Sequence, residues 1–97
     1  MLDLNSIIET PKTLFGAVNY LRNVFSEEIK EHIRGMSKEA MGMLNFGLGS
    51  QVRNGLGLNG ENPKLIANCQ VTNAEEASEL ILYTLWLALR GEKSRHS

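Results

Sequence analysis

The stretch NFGLGSQVRNGLGLNGEN, from Asn45 to Asn62, decides between two kinds of protein. Gly55-Leu56-Gly57-Leu58-Asn59-Gly60 has the spacing G-x-G-x-x-G, which in a dinucleotide-binding domain follows a strand and opens a helix whose N–H groups face a pyrophosphate. The residues before it argue against that reading. Lys38 to Asn54 carries apolar residues at helical spacing (Ala40, Met41, Met43, Leu44, Leu48 and Val52), and no run of valine or isoleucine reads as a strand. The glycines therefore predict a helix end at Asn54-Gly55 followed by a turn, where glycine and asparagine supply positive φ. A phosphate cradle is not expected.

Outward from this stretch the chain reads as helices. Thr10 and Pro11 open a helix predicted to run to Phe25, since a proline at the first helical position lacks only an N–H that has no helical partner. Ser26 caps a short helix over 27–34, with Glu27 and Glu28 at its start, Arg34 at its end and Gly35 as the stop. Its buried stripe is predicted as Ile29, Ile33 and Met36. Ser37 caps the helix over 38–54, on which Gly42, Gly49 and Arg53 are expected opposite the apolar stripe, with Phe46 beside them. Pro63 starts a short turn of helix through Cys69. The last helix spans 74–90, capped by Thr72 or Asn73 with Glu75 or Glu76 three residues on, and Gly91 is the predicted end. No segment alternates with a period of two. The expectation is one all-α domain over 1–97: a compact bundle of four to five short helices, a Gly/Asn-rich loop before the C-terminal helices, an N-terminal arm over 1–9 and a flexible tail over 92–97.

Composition narrows the function classes. The chain has 97 residues, a net charge of −1 and 42% hydrophobic residues, values of an ordinary globular domain with no global field to draw it onto nucleic acid. The start, MLDLNSIIETPK, has no signal-peptide pattern, and the apolar run Leu80–Leu89 is about half of the ~20 residues a membrane span needs. A cytoplasmic protein is expected. Catalysis finds little to work with. The chain has one cysteine, Cys69, two distant histidines, His32 and His96, and one aspartate, Asp3. These make neither a metal site nor a nucleophile-and-base set, so no catalytic residue, metal or cofactor is expected.

Two positive signals remain. Arg53, beside a glycine-lined backbone and Phe46, reads either as an anchor for the 55–62 loop or as a binding group for an anion or a partner's carboxylate; Phe46, Gly49, Arg53 and Asn54 are the candidate binding residues. The segment Leu80–Leu89 is apolar nearly all the way round, so its helix is either central or covered by another chain. Tyr83, Trp86 and Leu87 are its candidate interface residues.

The succession PKTLFGAVNYL, then FGLG followed by VRNGLGL, NPKLIANC and AEEASELILYTLWLAL resembles a small domain family of unknown function, found in bacterial genomes and mobile elements. The likeness runs from Pro11 to Leu89, and its most specific piece is Phe46-Gly47-Leu48-Gly49 with Arg53, Asn54 and Leu58. In that family's pattern a carboxylate often stands where this chain has Gly16, a histidine where it has Asn45 and a tryptophan where it has Asn59. The resemblance implies a shared fold and importance for Gly47, Gly49, Arg53 and Asn54, and it implies no activity. The resulting expectation is a non-enzymatic protein-binding module, an inhibitor, immunity or regulatory factor, with either self-association or a stable partner through the exposed parts of the last helix. The alternative is a sensor or sequestering protein that holds a small anion or nucleotide at Arg53 and the glycine loop.

Overall fold

Residues 10–96 are described by a computed structural model, with side chains through Gly91. The predicted arm over 1–9 lies outside the described residues. The described chain is all-α: α1 (Leu14–Val24), α2 (Glu27–Arg34), α3 (Lys38–Gly55), α4 (Pro63–Asn68) and α5 (Ala74–His96), with no strand among the described residues.

Local chemistry sets most helix starts. Ser26 Oγ accepts from Ile29 N and Ser37 Oγ from Ala40 N, closing α2 and α3. Asn73 Oδ1 accepts from Glu76 N at 2.8 Å, while the Glu76 carboxylate reaches back to Thr72 N and Oγ1. The predicted capping pair is therefore Asn73 with Glu76. Helix α1 departs from expectation. Its cap is Thr13, not Thr10, because Thr13 Oγ1 takes Gly16 N and Asn68 Oδ1, from the end of α4, takes Leu14 N at 2.7 Å. A tertiary partner supplies what the nearer sequence signal did not.

Two ends also moved. Helix α3 runs to Gly55, with Leu56 as its cap, and Gly57 takes the left-handed conformation at φ 70°. Leu58 N donates to Arg53 O and Gly57 N to Asn54 O, the paired bonds of a Schellman stop. The stop thus lies two residues beyond the predicted Asn54-Gly55. Gly91 does not end α5, which continues to His96. One glycine lowers helix stability by about 1 kcal/mol, which its neighbours can outweigh.

Helix α5 is the centre of the bundle and packs on all four others. Ala77, Ile81, Leu82, Leu85, Trp86 and Leu89 are buried along it, joined by Val18 and Leu21 of α1, Ile33 of α2, Met41 and Val52 of α3 and Leu65 of α4. The other helices thus cover most of this apolar helix and leave Leu87 exposed. The stripes predicted for α2 and α3 were too wide. Ile29 is exposed, and Met43 stands 71% exposed, because at about 100° per residue it points away from Met41 and Val52.

Candidate functional site

The densest polar contacts lie between α3 and α5, around Gly49. Asn45 and Arg53 sit one helical turn on either side of it, and both turn their side chains over its bare Cα toward α5. Arg53 Nη1 donates to Ser78 Oγ at 2.9 Å. The Ser78 hydroxyl lies 2.7 Å from Asn45 Oδ1 and 3.0 Å from Glu75 O, so its single proton has two acceptors. Asn45 Nδ2 donates to Glu75 O. Ser78 and Asn45 are both buried. A methyl group on Gly49 would come within 2.1 Å of Asn45 Oδ1 and 3.1 Å of Arg53 Nη1. The absence of a side chain there is what allows the bridge.

This corrects two sequence expectations. Gly49 faces α5 and is buried, not on the opposite side of the helix. The guanidinium of Arg53 bonds Ser78, not the 55–62 loop. The loop is held by other groups: Asn62 Nδ2 donates to Leu56 O and Pro11 O, Asn59 Nδ2 donates to Asn54 Oδ1, and Leu56 and Leu58 are buried in the core. Of the three glycines, Gly57 and Gly60 have positive φ and serve the turn, whereas Gly55 is helical. A helix, not a strand, precedes all three. Ser78 and Asn62 went unmarked in the sequence, and Asn45 was noted only as a departure from the family's histidine, since a serine or asparagine inside a helix and an asparagine near a loop carry no local sign of a long-range partner.

The other candidate residues separate. Phe46 is 79% exposed on the outer face of α3, next to exposed Met43. Asn54 is exposed in the last turn of α3. On α5, Trp86 is only 7% exposed; its Nε1 donates to Met36 O at 3.0 Å, Tyr83 packs on its ring and the Arg90 guanidinium covers it at 4.9 Å. Tyr83 is half-buried, and Leu87 is the most exposed of the three interface candidates.

An open cleft of about 600 Å³ lies between the start of α3, the turn at 70–72 and the middle of α5. Met41, Val71, Leu80 and Tyr83 give it apolar walls, and Lys38, Glu76 and Glu79 stand at it as charged groups. Gln70, at φ 60°, holds the left-handed position that ends α4 and lines one side. No group of three His, Cys, Asp or Glu able to hold a metal occurs among the described residues. Cys69 is buried, and desolvation pushes its thiol above the ordinary value, the opposite of an activated nucleophile. No helix among the described residues is long and apolar enough to cross a membrane.

A helical bundle with a polar inter-helix bridge and an open apolar cleft is the class this geometry defines. The domain of unknown function DUF6794 matches residues 10–89, and the chain belongs to that family. No curated protein and no solved structure matches the chain.

Proposed function

We propose that this chain is a non-enzymatic module that binds another protein, acting in the cytoplasm as an inhibitor, immunity or regulatory factor. The observation that carries the reading is the cleft, whose apolar walls meet two carboxylates at Glu76 and Glu79 and a single cation at Lys38. That surface suits an apolar segment of a partner bearing a basic residue. Apolar burial supplies affinity, and the carboxylates select the charge of the incoming segment. An anion sensor has less support. Carboxylates would repel an anion from the cleft, and the Arg53 guanidinium is turned to Ser78.

A native pull-down analysed by mass spectrometry that retains both proteins and small ligands tests this. The parent is expected to carry a protein that Glu79→Lys and Tyr83→Ala both lose while remaining folded by circular dichroism. A small molecule that co-purifies with the parent and disappears in Tyr83→Ala would replace the protein-binding reading with a ligand-binding one.

A further inference from the structure

The outer face of α3 has a use separate from the cleft. Glu39, Met43, Phe46, Ser50 and Arg53 follow one another at alternating steps of four and three residues. On an α-helix that spacing draws them into a single strip, the arrangement by which two helices pair. Phe46 and Met43 are 79% and 71% exposed, the largest exposed apolar groups on α3. Gly42 and Gly47 border the strip, and a Cβ built on either meets nothing within 4 Å. No contact among the described residues requires either glycine, and both keep the flanks of the strip low enough for a second helix to approach closely.

The strip is self-complementary about its middle. Glu39 and Arg53 lie equally far along the chain on either side of Phe46. We propose that this face takes a second copy of the chain, with the two α3 helices antiparallel about a two-fold axis at Phe46. Phe46 then packs on its symmetry mate, Met43 covers the second copy's Ser50, and Glu39 meets the second copy's Arg53 at both ends. A guanidinium has five N–H donors, so Arg53 keeps its bond to Ser78 while meeting a carboxylate. A parallel pairing would instead place Glu39 against Glu39 and Arg53 against Arg53. The charges set the direction and the aromatic pair supplies the apolar burial. One helix face is smaller than the roughly 800 Å² per partner of a standard interface, so the dimer forms with rising concentration rather than permanently.

Sedimentation equilibrium from micromolar to millimolar protein, combined with cysteine cross-linking, tests the proposal. The parent is expected to shift from monomer to dimer mass across the series, and Phe46→Glu to stay monomeric with unchanged helical content. Mixing Met43→Cys with Ser50→Cys under mild oxidation is expected to give a cross-linked dimer faster than either variant alone. Cys69 is buried and does not compete. A parent monomeric at all concentrations, a dimer that survives Phe46→Glu, or faster cross-linking within Met43→Cys alone would each overturn it. None of these outcomes bears on partner capture at the cleft, which Glu79→Lys and Tyr83→Ala report separately.

Discussion

One methyl group at position 49 tests the bridge between α3 and α5. Alanine is the better helix former by about 1 kcal/mol. At Gly49, however, its Cβ would occupy the space of Asn45 Oδ1 and crowd Arg53 Nη1. Displacing Asn45 takes its buried amide away from both Ser78 Oγ and Glu75 O, while Ser78 keeps Glu75 O as its acceptor. We expect Gly49→Ala to lower stability by about 1–3 kcal/mol, the scale of lost buried hydrogen bonds. Gly47→Ala, with open space around the new Cβ, is expected to raise stability by about 0.5–1 kcal/mol. Urea unfolding of the pair decides the matter, since both substitutions gain the same helix propensity. Arg53→Ala removes the third member of the bridge and is expected to lower stability by about 1–2 kcal/mol, read as a lower denaturation midpoint at unchanged slope.

The elements on either side of the glycine loop are joined by one amide. Asn62 precedes α4 but makes no side-chain cap. Its two N–H groups go instead to Pro11 O, before α1, and Leu56 O, at the cap of α3, at 2.8 and 2.9 Å. Its Oδ1 is buried without a hydrogen-bond partner among the described residues. The side chain thus ties three helix ends together. Asn62→Asp keeps the shape but replaces both donors with an acceptor facing two carbonyls. A buried carboxylate there would be desolvated as well, so a loss of at least about 3 kcal/mol is expected, measured by thermal unfolding at neutral pH. The penalty should shrink as pH falls and the new carboxyl takes up a proton. Helix α2 is joined in a similar way: Lys30 Nζ donates to Arg22 O of α1, and Arg34 Nε donates to Leu89 O of α5 while its guanidinium pairs with Glu31. Short helices of this length are marginal alone, and such cross-links with the buried stripe keep them formed.

For the whole molecule, the apolar cluster around α5 also fixes how the protein responds to alkali. Cys69 is buried in that cluster, and desolvation raises its thiol above the ordinary value of 9.0. In the unfolded chain the thiol loses its proton first as pH rises. Its contribution is therefore fully present below the unfolded value and is lost as pH climbs through the higher folded value. We expect stability to fall above pH 9 more steeply in the parent than in Cys69→Ala, although the variant is less stable throughout because of the cavity it leaves. Thiol-reagent labelling of the native protein at neutral pH should be slow and should speed up on unfolding.

What the sequence determined by itself was mostly local. Ser26, Ser37 and Asn73 with Glu76 marked three helix starts because a cap is a bond between residues three apart. The missing two-residue period excluded a sheet, and the helix ahead of Gly55 excluded a strand-turn-helix phosphate site. Tertiary structure decided the rest, through partners distant in sequence. Thr13 rather than Thr10 caps α1 because Asn68 arrives to help, and Gly49 is buried because Ser78 draws Asn45 and Arg53 across it. The run Leu80–Leu89 could not show in isolation which of its residues the other helices would cover. The answer depended on where four other helices packed, and they enclosed Trp86 while leaving Leu87 in the open. Caps and turns act over a few residues and are written in order along the chain. Burial is a property of neighbours, and the neighbours of α5 come from every other helix of the bundle.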